Sequence, residues 1–169
     1  QRYLKRVQAD NPVGALVAYP GSPMLLAQAM RPDDRLLACE LHPEEARALE
    51  ALFRHDDRVG VQARDGYGAV KALLPPKEKR GLVLIDPPYE AQEAEYRVIE
   101  QALKGALQRW PTGMYAVWYP IKLRSQVQPF LRWVQHSGVR RALRAELLLR
   151  PDDSPLRLNG SVFAWRMHD

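Results

Sequence analysis

The chain has 169 residues, enough for one domain with a sizeable core, and its 46% hydrophobic content excludes a disordered tail. A single cysteine, Cys39, excludes a disulfide framework and suits a reducing, cytosolic setting, and no apolar run reaches the roughly 20 residues of a membrane span. The net charge of +5 is uneven: acidic residues gather around Asp33, Asp34, Glu40, Glu44 and Glu45, and arginines crowd the last third from Arg124 to Arg166. Such a surface suits phosphates and hence nucleic acid, although a solvated arginine-rich face is the competing explanation.

The first ten residues read as the end of a helix begun earlier. An apolar run, 15–19, is closed by Pro20-Gly-Ser-Pro23, where Ser22 is expected to cap a helix reaching about Met30. A buried strand is expected over 36–41. A helix follows from Pro43, with Ala46, Leu49, Leu52 and Phe53 at helical spacing. A strand over 59–63 leads into Asp65-Gly66 and a helix to about Leu74. The most strand-like stretch, 81–85, runs into Asp86-Pro87-Pro88-Tyr89. A long helix over about 93–109, a strand over 114–119 and a helix over 123–137 come next, with Gly138 as the C-terminal cap. Two final strands are expected over 141–149 and 161–165. This alternation predicts an α/β fold, a mainly parallel Rossmann-like sheet with helices on both faces and ligands at the strands' carboxyl ends.

Three carboxylates close successive strands: Glu40, Asp65 and Asp86. One strand–helix unit separates each from the next, so all three should line one edge of the sheet. An acidic group there can accept hydrogen bonds from a ribose diol, and a second beside Gly66 can meet an adenine amine while the glycine admits the ring. Asp86-Pro-Pro-Tyr89 is the most specific signal. An adenine amine is a poor nucleophile because its lone pair is delocalised into the ring. Transfer of a methyl group to it requires the nitrogen in line and its two hydrogens polarised. The Asp86 carboxylate and the Pro87 carbonyl supply two acceptors, the prolines hold the turn, and Tyr89 offers a flat face for stacking. A paired base cannot reach such a pocket, so the target must be unpaired or flipped. The alternative is a strand terminator with Tyr89 packed in the core.

Together, Tyr19-Pro-Gly-Ser-Pro23, Glu40-Leu-His-Pro43, Asp65-Gly66, the run Arg80 to Tyr89 and Trp118-Tyr-Pro120 resemble the RlmJ family of ribosomal large-subunit adenine-N6 methyltransferases, over about residues 1–160. The resemblance implies S-adenosylmethionine as cofactor, with Glu40 on its ribose, Asp65 and Gly66 on its adenine, and Ser22 and Asp86 also in contact. Asp86, Pro87, Pro88 and Tyr89 become the catalytic segment, and the partner becomes ribosomal RNA in the cytoplasm, met by a monomer. It also implies a seven-strand sheet whose last strand is antiparallel. Two features depart from the family. The glycine-rich loop and first, central strand have no counterpart, so residues 1–18 are expected to be the end of a helical insertion and 19–169 a catalytic domain lacking that strand. The end of the chain, Val162 to Asp169, also differs from the family's Asn-Pro-Pro-Trp segment.

Tyr119 and Lys122, on the ligand edge, are candidate substrate contacts, with core packing as the competing reading for the aromatics. His42 is a candidate neighbour of the cofactor. The scattered histidines form no ligand set with Cys39, so no metal is expected. The Arg140, Arg141 and Arg144 group can track a phosphate backbone or guard an edge strand. The rival functions are a DNA adenine methyltransferase, a protein-glutamine methyltransferase, which usually carries asparagine at the place of Asp86, and an RNA-binding fragment without catalysis.

Overall fold

A computed structural model describes residues 2–9, 11, 15–89, 92–121, 124–139, 141–148 and 160–166. The chain divides into two compact units, Gln1–Gly66 and Tyr67–Asp169.

In the first unit, α1 (Arg2–Ala9) leads to α2 (Ser22–Ala29), β1 (Leu36–Glu40), α3 (Pro43–Phe53) and β2 (Val59–Ala63). The 15–19 run forms no strand; Asn11 holds it instead. Its amide nitrogen donates to the carbonyls of Val7 and Ala18, and its oxygen accepts from the backbone N–H groups of Val17 and Ala18, all within 2.6–2.8 Å. Gly21, in extended conformation, is the N-cap of α2, and Ser22 is its first helical residue. This corrects the expected cap: with Pro23 beside it, the turn begins one residue early, and no side chain caps it. β1 and β2 pair in parallel from Leu36↔Val59 to Glu40↔Ala63.

The expectation of a buried β1 needs correction. Leu37 is 45% exposed and Leu41, just past the strand, 64%. Leu52 of α3 is also exposed, whereas Ala46 and Phe53 are buried. A parallel strand becomes dry only when both faces are covered, and the apolar run alone does not say what covers it.

The second unit opens in α4 (Gly66–Leu73), which begins at the last residue of the first. β3 (Leu82–Ile85), α5 (Gln92–Arg109), β4 (Met114–Ile121), α6 (Arg124–His136), β5 (Ala142–Leu148) and β6 (Gly160–Arg166) follow. Its sheet has the order β3-β4-β6-β5. β3 and β4 are parallel, and β6 runs antiparallel to both β4 and β5, so the expected antiparallel last strand is present. Gly138, at φ 78°, follows α6 in the left-handed conformation that glycine adopts without penalty. β4 runs two residues past its expected end, through Pro120, which pairs with Ser161.

The core of this unit is aromatic. Tyr96 stacks on Phe130 at 5.4 Å between ring centroids, Tyr119 meets both edge-on, and Trp133 stacks on Phe130 at 6.1 Å. Trp110 terminates α5 and closes the amino end of the sheet. The Tyr115 hydroxyl donates to the carbonyls of Ala106 and Trp110, at 3.0 and 2.8 Å. A Cβ on Gly81 would lie 2.9 Å from the indole, and one on Gly113 would collide with it outright.

Candidate functional site

In the first unit the chemistry lies at the carboxyl ends of β1 and β2. Glu40 is the last residue of β1 and partly buried. Its Oε1 accepts the backbone N–H of His42 at 2.8 Å, and its carbonyl accepts the N–H of Arg64 at 2.9 Å. The loop after the strand thus sets the carboxylate's direction through Oε1. His42 contributes through its backbone, as the N-cap of α3, with its ring exposed.

Asp65 is exposed just past β2, and Gly66 follows it. A Cβ at Gly66 would meet only the Cβ of Cys39, at an ordinary 3.7 Å. Packing within this unit therefore does not demand glycine. A carboxylate held at one strand end and an acid–glycine pair at the next fit the diol and the adenine of a nucleoside. Ser22 is partly buried at the start of α2. Burial raises the thiol pKa of half-buried Cys39 above its ordinary value, which keeps it a neutral side chain.

In the second unit, Asp86 leaves β3 exposed, Pro87 is half-buried and Pro88 exposed. Tyr89 then turns back. Its φ is 53°, a left-handed conformation that costs a non-glycine residue on the order of 1 kcal/mol. The turn sends the ring into the core, where it is 1% exposed. Its hydroxyl donates to the Trp118 carbonyl at 2.7 Å, with the Tyr96 and Trp118 rings at 5.5 and 5.9 Å. Burial, reinforced by the nearby Tyr96, Tyr67, Glu95 and Asp86, holds the phenol far above its ordinary pKa, so it stays a neutral donor. The expectation of an open stacking face at Tyr89 is therefore corrected: the ring anchors the turn that presents Asp86 and Pro87.

Tyr119 is also corrected from substrate contact to core, at 0% exposed. Its side chain points to the α5–α6 face, since β4 alternates and Trp118 takes the other face. Lys122 lies outside the described residues.

One contact was not legible beforehand. Tyr67, directly after Gly66, donates its hydroxyl to Glu95 of α5, and both are half-buried. The bond joins the start of α4 to the helix that follows the Asp-Pro-Pro-Tyr turn. A tyrosine beside an acid–glycine pair was the available signal, but its partner lies 28 residues away. Among the described residues, no three His, Cys, Asp or Glu side chains gather as a metal site.

Residues 1–165 match the family model described as ribosomal RNA large subunit methyltransferase D, RlmJ. The chain belongs to the RlmJ family. It is 41% identical over 161 residues to ribosomal RNA large subunit methyltransferase J of Haemophilus influenzae, covering 95% of this chain and 57% of that protein. The RlmJ relative of the same name in Escherichia coli is 38% identical, over 90% of this chain and 54% of its own length. The chain thus spans a little over half of the curated relatives it matches. A solved structure from Legionella pneumophila, protein LPL1258, superposes with a TM-score of 0.84 at 37% identity, over 98% of this chain and 60% of that one. The methyltransferase domain of METTL16, with its N-terminus removed, matches at a TM-score of 0.63 and 13% identity, over 99% and 96% of the two chains. That likeness places the RlmJ chain in the Rossmann-like methyltransferase fold.

Proposed function

We propose that the protein to which this chain belongs transfers a methyl group from S-adenosylmethionine to the exocyclic N6 of an unpaired adenine in large-subunit ribosomal RNA. The observation that carries the reading is the Asp86–Tyr89 turn at the end of β3. Its acid and first proline stay accessible while a left-handed, fully buried tyrosine holds the turn from beneath.

S-adenosylmethionine, when bound, supplies an electrophilic methyl group. Glu40 would hold its ribose, Asp65 and Gly66 its adenine, and Ser22 and Asp86 would add further contacts. The Asp86 carboxylate and the Pro87 carbonyl each accept one N–H of the target amine, which orients the nitrogen lone pair out of conjugation with the ring. Pro88 limits the turn's freedom. The N–C bond would form as the methyl–sulfur bond breaks and the sulfonium leaves as a neutral thioether; the adjacent Asp86 carboxylate would stabilise the cationic nitrogen before a proton leaves toward solvent. No covalent enzyme intermediate is needed.

The test is the full-length protein with Asp86→Ala. Methyl transfer to an adenine-containing RNA should be lost, while S-adenosylmethionine binding measured by calorimetry stays within a few fold. Normal transfer by the variant would remove Asp86 from the role. Parallel assays on RNA and DNA strands of one sequence separate this reading from DNA methylation, which predicts preference for the deoxy strand.

A further inference from the structure

We propose that Arg124 and Arg144, gathered by Glu146, form a phosphate clamp for the unpaired RNA strand that flanks the target adenine. The proposal rests on the RNA-methylating reading above, and adds a site on strands that this reading leaves unused.

The register of the second unit places the clamp. Ile85 pairs with Val117, Val117 with Ala164, and Ala164 with Arg144. Ile85, Val117 and Arg144 thus lie in one row across the sheet, on one face. Arg144 therefore lies level with the last residue of β3, immediately before Asp86. Through the backbone of β6, the next row on that face brings together Tyr119 and Glu146. Three inter-strand steps separate β3 from β5, or about 14 Å. An extended single strand leaving Asp86 crosses that distance in a few nucleotides.

The three side chains meet at one carboxylate and are partly exposed. Glu146 Oε2 lies 3.4 Å from both Arg124 Nη1 and Nη2, and its Oε1 lies 3.3 Å from Arg144 Nε. Charge-assisted pairs close to about 2.7–2.9 Å when nothing competes. The arginine side chains are 36% and 49% exposed, and Glu146, at 20%, is the most covered of the three. One carboxylate thus aims two guanidinium groups from different elements, α6 and β5. Each guanidinium has five N–H donors in a planar fork matched to phosphate oxygens. Beneath, on the row of Glu146, the Tyr119 hydroxyl is fully buried and has no hydrogen-bond partner among the described residues. Such orphaned groups are rare and mark a place where a further polar group belongs. Trio and hydroxyl together make a polar spot of two guanidinium groups, one carboxylate and one phenol.

The test uses the full-length protein and a short single-stranded RNA with one central adenine, followed by fluorescence anisotropy across a salt series. For single strands, each phosphate contact contributes about 0.7 to the slope of log K against log salt. Arg124→Ala and Arg144→Ala should each flatten the slope by about 0.7 and weaken binding roughly fivefold near 0.1 M salt. Arg144→Lys should keep most of the slope. Glu146→Gln separates a clamp from a structural ion pair, because removing the competing negative charge should leave RNA binding equal or tighter. Unchanged slopes in both alanine variants would overturn the proposal, as would a Glu146→Gln loss matching theirs. If an alanine variant fails to fold, as seen by thermal melting, Arg144→Lys and Glu146→Gln still decide. Mass spectrometry of the same RNA reads the reaction itself. Methylation by the unaltered protein with unchanged slopes sinks the clamp alone, whereas no methylation and no RNA binding sinks both readings.

Discussion

The two units bury their residues very differently. Among the described residues between Gln1 and Gly66, Pro20, Ala27, Ala46 and Phe53 are buried while Leu37, Leu41 and Leu52 are exposed; the second unit also exposes Leu82, Leu143 and Leu147, but over a larger core. From Tyr67 onward a continuous core runs through Ile99, Tyr96, Tyr119 and Phe130 to Trp110. The candidate cofactor residues Glu40, Asp65 and Gly66 therefore stand on the thinly packed unit, and the candidate target-amine residues Asp86 and Pro87 on the densely packed one. Accuracy matters most where a bond is made, and the segment presenting Asp86 is anchored by a buried ring and hydrogen bond. The cofactor residues rely on strand ends and loop amides.

Phe130→Ala is the sharpest way to break this contrast. It removes a ring with three aromatic neighbours and should destabilise the full-length protein by about 3–5 kcal/mol. Phe53→Ala should fall at or below the low end of that range. Equal losses in urea unfolding would mean that the units are equally dependent on their own cores.

Next in size is Glu40→Gln. A hydrogen bond to a charged acceptor is worth about 1.5–3 kcal/mol, so S-adenosylmethionine binding by the full-length protein should weaken at least tenfold, read by calorimetry. RNA affinity should not move. If both weaken together, Glu40 is a fold residue and not a cofactor ligand.

Smaller again is the Tyr67–Glu95 bond. Tyr67→Phe and Glu95→Gln should each lower the transfer rate, and a double-mutant cycle should show a coupling of about 0.5–1.5 kcal/mol. Strict additivity would mean that the two side chains act independently of each other.

The smallest effect belongs to the first unit's surface. The Arg58 guanidinium, 2.6 Å from Asp56, holds that carboxyl down at about pKa 2. A carboxyl depressed on folding contributes stability that is complete above its ordinary value near 3.8 and is lost as pH falls toward 2. Asp56→Asn should thus lower the melting temperature slightly at pH 7 and leave it unchanged near pH 2. A difference that persists at low pH would point to packing instead of charge.

How much of this was legible beforehand varies by residue. The alternation of strands and helices could be read because it depends on local periodicity and on turn residues; the 59–63 strand matches residue for residue. Asp86-Pro-Pro-Tyr89 was conspicuous for the same reason, since two prolines after an apolar run end a strand in any context. The direction of Tyr89 was not legible. A tyrosine can stack on a base or pack in a core, and only the left-handed backbone and the Trp118 carbonyl choose between them. Tyr119 was ambiguous likewise, because alternation assigns a face but not what covers it.

By itself, the sequence determined the order of the elements, the acidic residues that end β1, β2 and β3, and the family. These follow from short-range chemistry and from motifs whose spacing survives divergence. Tertiary structure alone decided which apolar residues became dry, why Gly113 and Gly81 face an indole, and that Arg144, Glu146 and Tyr119 share a region level with Asp86. Those facts depend on strand register and on contacts between residues far apart in the chain, which no local pattern encodes.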